Sequence, residues 1–379
     1  MIERSEYKNR LLKAVNRSPV TILLGPRQCG KTTLAREIWK KLGGTYLDLD
    51  TTGDITRLQN PELFLKSLKG LVVIDEIQQM PSLFRILRPL ADRYEIPARF
   101  LLLGSASPEI IRGVSETLAG RAEFIDLSGF NLGEIGISET EKLWFRGGFP
   151  RSFLSGDDDS SRVWLENFIR TFLERDLPQL GFPVNPVEMR RFWMMLASGQ
   201  GQIVNNSSLA RSMGRSYKTI QKHLDVFEGA YMIRRLRPWF NNTKKRLVKS
   251  SKVFIRDSGI LHNLLHIDSI YALKGHSIAG FSWEGFVLEQ FFDRFGSRNC
   301  YFWETHQGAS IDLLFFRKGL RYGLEVKMNE APGITKSMRI AMHDLQLQHL
   351  WVIYPGSESF IMDSKITALP LSDLFSNSF

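Results

Sequence analysis

Short, unbroken apolar runs recur in the first third of the chain, each followed by glycine, small polar residues or acids. Val20 to Leu24 leads into a glycine-rich stretch, Leu71 to Ile74 into Asp75-Glu76, and Phe100 to Leu103 into Gly104-Ser105. Runs of four or five apolar residues are too short for helices and carry no alternation, so they predict strands buried on both faces of a parallel sheet. An amphipathic helix is expected from the glycine-rich stretch to about Leu42. A helix ending at Leu118 to Arg121 should precede a further strand over Glu123 to Leu127.

The pattern changes after residue 200. Leu209, Ala210, Ile220, Leu224 and Phe227 recur at helical spacing around Gly214. This predicts a short helix over Ser208 to Met213, a tight turn, and a longer helix from about Ser216 to Glu228, the punctuation of a helix-turn-helix. A wing is expected in Met232 to Trp239. The last segment predicts a helix around Trp283 to Glu289, strands over Tyr301 to Trp303, Ile311 to Phe316 and Tyr322 to Val326, with a turn at Lys318-Gly319. A helix over Ser337 to Leu345 and a strand over Leu350 to Tyr354 complete it.

The 379 residues are 43% hydrophobic and 24% charged, the balance of a multidomain globular chain rather than a disordered one. No apolar run approaches the roughly 20 residues of a membrane span, and the opening MIERSEYKNR has no apolar signal core. Two cysteines, Cys29 and Cys300, cannot make a disulfide framework, so a reducing cytoplasm is expected. His223, His262, His266, His306 and His343 have no metal-ligand spacing with them, and no zinc is expected.

Charge separates the chain further. The formal net charge is +10, yet residues 184–256 alone hold 15 Lys and Arg against 3 Asp and Glu. Such a concentration is the footprint of a nucleic-acid contact, DNA in this reading. Boundaries are expected at 1–140, 141–185, 186–256 and 257–379: an α/β phosphate-loop domain, a helical lid, a basic winged helix and an acidic α/β end.

Gly25, Pro26, Arg27, Gln28, Cys29, Gly30, Lys31 and Thr32 read G-x-x-x-x-G-K-T between a strand and a helix, the context that a phosphate-binding loop requires. Amides from Gly30 to Thr33 can point at phosphate oxygens, with Lys31 on the β- and γ-phosphates and Thr32 on Mg²⁺. Asp75 is placed to hold the Mg²⁺ water shell. Glu76 would orient and deprotonate the attacking water, giving ATP hydrolysis. Ser105 could sense the γ-phosphate, and Arg121 could reach the γ-phosphate of a neighbouring subunit.

These elements together resemble a AAA+-like ATPase module whose Walker loop reads GPRQxGKTT. Here the matching stretches are GPRQCGKTTL, VVIDEIQQMPSLFRILRPLADR, FLLLGSAS, LAGR and FRGGFP. FIRTFLERDLPQLG, the helix pair after it and KSSKVFIRDSGI look like the DUF4143 region that this family carries. The resemblance implies the same roles for Lys31, Thr32, Asp75, Glu76 and Arg121, and ring-like homo-oligomers. Cys29 departs from it, standing where a small aliphatic residue is usual, and no second sensor arginine follows Arg121.

In the basic segment, Tyr217, Lys218, Gln221 and Lys222 fall on the outer face near the start of the second helix, where they would enter a groove. Lys244, Lys245, Arg246 and Lys249 are available for phosphates. At the acidic end, Asp312, Glu325 and Lys327 form D…E-x-K. Adjacent antiparallel strands set Asp312 beside Glu325, and period-two alternation puts Glu325 and Lys327 on one face. The two carboxylates, with Glu284 from the preceding helix, can hold Mg²⁺, and Lys327 can orient a metal-bound water against a phosphodiester. The element order resembles the restriction-endonuclease-like PD-(D/E)xK fold.

Three readings follow. The chain is an ATPase that presents DNA to a nuclease-like domain, a DNA-remodelling motor without cleavage, or a nucleotide-gated switch whose last domain only binds.

Overall fold

A computed structural model of the chain describes residues 2–93, 98–105, 116–179, 182, 184–240 and 250–375. The backbone divides into two units, Met1–Phe130 with Gly229–Tyr231, and Asn131–Glu228 with Met232–Phe379. The first break thus falls ten residues before the boundary expected at 140, and the three segments expected beyond it share one unit.

In the first unit, β1 (Val20–Gly25), β2 (Thr45–Asp48), β3 (Gly70–Asp75), β4 (Ala98–Ser105) and β5 (Ala122–Asp126) form a sheet in the order β2-β3-β4-β1-β5. All its pairings are parallel. Alternation along the strands sends Val20, Ile22, Val72, Ile74, Phe100 and Leu102 to one core and Leu23, Val73, Leu101 and Leu103 to the other. The second core is closed by helix Ser5–Arg17 through Tyr7, Leu11, Ala14 and Val15, and by helix Lys31–Leu42 through Leu34, Ala35 and Ile38. Cover on both faces is why these strands read as continuous apolar runs. Because β4 lies between β1 and β3, the carboxyl ends of three neighbouring strands bring the phosphate loop, Ser105 and Asp75-Glu76 to one edge, and Ser105 is in register with Gly25.

The second unit contains a winged helix and a mixed sheet. Of helices Pro186–Ser198, Asn206–Met213 and Tyr217–Gly229, the first and third pack through Phe192, Trp193 and Phe227, the last two with ring centroids 5.0 Å apart. Asn185 and Asn205 cap the first two, each accepting backbone N–H bonds, and Gly214 ends the second in the left-handed region at φ 63°. β6 (Ile233–Leu236) and β7 (Lys252–Ile255) pair antiparallel as the wing.

The sheet holds β8 (Cys300–Glu304), β9 (Ser310–Arg317), β10 (Leu320–Val326), β11 (His349–Tyr354), β12 (Phe360–Asp363) and β13 (Ile366–Pro370) in the order β12-β13-β11-β10-β9-β8. β8, β9 and β10 run antiparallel, and β10, β11 and β13 run parallel. Helix Ala279–Phe295 precedes the sheet, and helix Lys336–Leu345 packs Met338, Ala341 and Leu345 on it. The chain leaving β6 runs along the sheet's outer strand, where Trp239 N–H donates to the Phe302 carbonyl at 2.7 Å and Phe302 N–H to that of Arg237 at 3.0 Å.

Among the described residues no helix is long and apolar enough to cross a membrane.

Candidate nucleotide site and carboxylate cluster

The phosphate loop is bent by two left-handed residues, Gln28 at φ 64° and Gly30 at φ 101°. The second of these is a conformation that glycine adopts without strain. Lys31 opens the following helix, and its buried Nζ donates to the carbonyls of Gly25 and Pro26 at 3.0 and 2.8 Å. Thr32 is half-buried and Thr33 exposed beside it. Cys29 is fully buried, its thiol 3.5 Å from the Leu127 carbonyl, so it replaces a small aliphatic residue as a packed side chain.

Asp75 is buried at the end of β3. Its Oδ2 accepts from the Tyr46 hydroxyl at 2.7 Å and its Oδ1 from the Glu76 N–H at 3.0 Å. Glu76 itself is left-handed, at φ 53°, and accepts from the Gln78 side chain. Burial raises its pKa, with Lys31 and Gln78 pulling the other way. The Ser105 hydroxyl is buried without a hydrogen-bond partner. An orphaned hydroxyl level with the loop, an ammonium resting on loop carbonyls and a buried carboxylate one strand away fit a triphosphate with its Mg²⁺.

Sequence reasoning missed the support beneath this loop. Arg4 is buried, donating from Nη1 to the carbonyls of Cys29 at 3.0 Å and Ser128 at 3.1 Å, and from Nη2 to that of Gly129 at 2.8 Å. One guanidinium therefore ties the phosphate loop to the chain leaving β5. No local pattern announces it, because the arginine stands just outside an amphipathic helix that was itself not expected.

Arg121 directly precedes β5, at the amino-terminal edge of the sheet, whereas the phosphate loop leaves the carboxyl end of β1. A strand of this length separates the two edges by about 20 Å, so Arg121 cannot reach the loop of its own chain. Its guanidinium is paired with Asp92 and donates to the Ala119 carbonyl at 2.9 Å, as a helix-end cap would.

In the winged helix, Tyr217, Lys218 and Lys222 are exposed and Gln221 half-exposed. Gln221 accepts from Asn206 at 3.0 Å and donates to Asp225 at 3.2 Å, while Lys222 stands 5.8 Å from the centre of the Phe182 ring. Lys244, Lys245, Arg246 and Lys249 lie outside the described residues. Much of the remaining charge is spent internally. Arg190 pairs with Glu166, Arg215 with Glu188, Arg235 with Glu228 and Asp225, and Arg234 and Arg256 with Glu289. The segment count therefore overstates the positive surface that DNA would meet.

Strands β9 and β10 set Leu324 opposite Leu313, which brings Glu325 beside Asp312. Asp312 Oδ2 accepts the Val326 N–H at 2.8 Å, and Lys327 Nζ donates to Glu325 Oε1 at 2.7 Å. Glu284 comes from helix Ala279–Phe295. Burial, reinforced by Asp312, raises the pKa of both Glu284 and Glu325.

A fifth group, unanticipated, joins them: Lys252 of the wing strand β7, buried, with Nζ 3.6 Å from Glu284 Oε1. Among the described residues no three His, Cys, Asp or Glu side chains are gathered into a metal-coordinating group. Glu284 Oε1 and Glu325 Oε2 are nonetheless buried without hydrogen-bond partners. Two orphaned carboxylate oxygens suit Mg²⁺, which commonly takes one or two carboxylates and keeps its waters.

The stretches FRGGFP and FIRDSG prove to be one structural latch. Asp257 is half-buried, caps helix Ser258–Leu264 through the Ile260 N–H at 2.9 Å and accepts the Gly148 N–H at 2.8 Å. Any Cβ on Gly147, which has φ 76°, would meet Asp257 Oδ1 at 2.2 Å.

Comparison with known proteins gives three adjacent family matches: "AAA domain" over residues 17–136, "domain of unknown function (DUF8612)" over 137–270 and "domain of unknown function (DUF4143)" over 279–374. The stretches 168–181 and 249–260, expected to belong to DUF4143, fall in the DUF8612 match. Uncharacterized proteins of Mycobacterium bovis and Mycobacterium tuberculosis are each 44% identical over 374 residues, covering 99% of this chain and 85% of theirs. An uncharacterized Haemophilus influenzae protein is 23% identical over 296 residues, covering 69% of this chain and 72% of its own. Among solved structures, a Walker-type ATPase of Pyrococcus abyssi superposes with a TM-score of 0.50 at 15% identity, covering 70% of this chain and 96% of that one, a likeness of fold.

Proposed function

The chain belongs to the family of these mycobacterial proteins, an AAA domain of the P-loop ATPase type joined to DUF8612 and DUF4143 regions, and from that premise we propose that it couples ATP hydrolysis to the processing of DNA. The observation that carries the hydrolytic half is the edge where the phosphate loop, Ser105 and Asp75-Glu76 end side by side. Backbone amides of Gly30 to Thr33 and the Lys31 ammonium would hold the phosphates, while Thr32 and Asp75 would hold Mg²⁺ directly and through water. Bound there, Mg²⁺ supplies charge neutralisation on the phosphate oxygens. Glu76, with its proton affinity raised by burial, is suited to accept a proton from the attacking water. Arg121 would act on the nucleotide of a neighbouring copy after exchanging Asp92 for phosphate, which makes the working form a homo-oligomer.

The second half rests on the winged helix and the carboxylate cluster sharing one unit. Tyr217, Lys218, Gln221 and Lys222, with Lys244, Lys245 and Arg246 from the stretch of chain between β6 and β7, would grip DNA. Asp312, Glu325 and Glu284 would hold Mg²⁺, with Lys327 steering water at the phosphodiester.

The test is incubation of the full chain with labelled linear, forked and four-way-junction DNA, with ATP and Mg²⁺, on native and denaturing gels. Shortened strands that vanish with Asp312→Ala are the expected result. Intact strands with ATP-dependent unwinding or bandshift would replace the nuclease by a motor or a switch.

A further inference from the structure

The lysine inside the carboxylate cluster is foreign to the D…E-x-K pattern. Lys252 arrives from the wing, 32 residues before Glu284 in the chain and on a strand whose partner is β6. It is 8% exposed, its ammonium is 3.6 Å from Glu284 Oε1 and 5.5 Å from the centre of the Phe302 ring, and it lies in the combined field of Glu284, Asp312, Glu304 and Glu325. Burial alone would drive it toward the neutral amine. The surrounding carboxylates reverse that and hold it charged.

We propose that Lys252 is a tethered counter-ion standing in the place of the divalent cation, so that the carboxylate cluster takes up a metal ion only as the wing strand withdraws this ammonium. The inference rests on reading the cluster as a cation site and adds to it a positioning residue carried by the winged helix.

Three observations support it. The oxygens that a cation would use, Glu284 Oε1 and Glu325 Oε2, are buried and lack hydrogen bonds, so the Lys252 ammonium balances their charge without consuming their lone pairs. Lys327 already serves Glu325 Oε1 at 2.7 Å, leaving Lys252 as the cation nearest to Glu284. Charge repulsion points the same way. An ammonium held 3.6 Å from Glu284 Oε1 repels a divalent ion at that same oxygen, so the two cations compete for it. Since β7 pairs with β6, the strand that follows the helix-turn-helix, a displacement of the wing on DNA is the movement that would carry Lys252 out. Cation loading would then depend on the grip on DNA.

The test is titration of Mn²⁺ into the nucleotide-free full chain by calorimetry. Replacing the ammonium while keeping an apolar stem, Lys252→Met, should tighten Mn²⁺ binding by about tenfold or more, the effect of removing one near like charge. Adding Asp312→Asn should erase the gain. Lys252→Gln serves as a second variant with the same expectation. In the unaltered protein, saturating Mn²⁺ should increase modification of Lys252 by an amine-reactive reagent, read by mass spectrometry, with no substitution needed. Unchanged Mn²⁺ affinity in the folded variants, a gain that survives Asp312→Asn, or labelling of Lys252 that ignores Mn²⁺ would each overturn the proposal. Tighter Mn²⁺ binding without DNA cleavage by any form would uphold it and remove the nuclease reading. Cleavage that depends on Asp312 with unchanged Mn²⁺ affinity in Lys252→Met would do the reverse.

Discussion

The phosphate loop and the carboxylate cluster both gather charged groups at the ends of strands, but they are built in opposite ways. Gly25 to Thr32 are consecutive, and the strand before them and the helix after them fix their geometry locally. Lys252, Glu284, Asp312, Glu325 and Lys327 come from a wing, a helix and a hairpin, and meet only once those elements have packed. A locally encoded site can be read from a string of letters together with its neighbours. A site assembled from distant elements shows only the part that lies within one hairpin.

The sharpest way to break the comparison is at the loop. Lys31→Ala should lower ATP turnover by roughly a hundredfold or more, as loss of a preorganised transition-state contact does, with the circular dichroism spectrum retained. Glu76→Gln should cost a similar factor in turnover while leaving nucleotide binding near its original strength, measured with a fluorescent ATP analogue. Turnover that survives either change would remove the assignment of that residue.

Next in size are changes to the scaffold of the second unit. Gly147→Ala places a methyl group against the Asp257 carboxylate at a positive φ, and should destabilise that unit by about 3 kcal/mol in urea unfolding. Ordinary stability in that variant would mean that the latch yields easily.

His262 gives a pH-dependent counterpart. Its Nδ1 lies 3.0 Å from the Phe145 carbonyl and its Nε2 2.7 Å from Ser282 Oγ, and burial lowers its pKa to about 4. Because the unfolded histidine binds its proton near pH 6.5, the contribution is full above that pH and is lost as the pH falls toward 4, amounting to roughly 3 kcal/mol. Between pH 7.5 and 4.5 the unaltered protein should therefore lose more stability than His262→Gln does, the buried Glu284 and Glu325 carboxyls being common to both.

The smallest effects are expected on the recognition helix, where Lys218→Ala or Lys222→Ala should each reduce the salt dependence of DNA binding by about one counterion. No change in either would move the contact away from this face.

How much of this was legible follows from the same contrast. β1, β3 and β4 could be placed because apolar runs covered on both faces end in chemistry-bearing residues. β2 was missed, since Thr45–Asp48 is short, half-polar and at the sheet edge. Helix Ser5–Arg17 was missed although Tyr7, Leu11, Ala14 and Val15 have helical spacing. Its most consequential neighbour, Arg4, acts through backbone carbonyls of residues 29, 128 and 129, a role that no side-chain pattern can carry.

The hairpin bearing Asp312 and Glu325 could be anticipated from alternation and the Lys318-Gly319 turn, and Lys327 from the two-residue step. Lys252 could not, because its partner lies 32 residues away on another element. Charge counting misled for a related reason. Arg234, Lys252 and Arg256 were counted into the basic segment, yet they neutralise Glu284 and Glu289 inside the second unit.

The central claim is that hydrolysis at the loop serves an action on DNA. Its most direct test is steady-state phosphate release by the full chain as linear or junction DNA is titrated in, alongside Glu76→Gln as the blank. The account predicts turnover that rises with DNA and saturates, and that is absent in the variant; a rate indifferent to every DNA offered would contradict it.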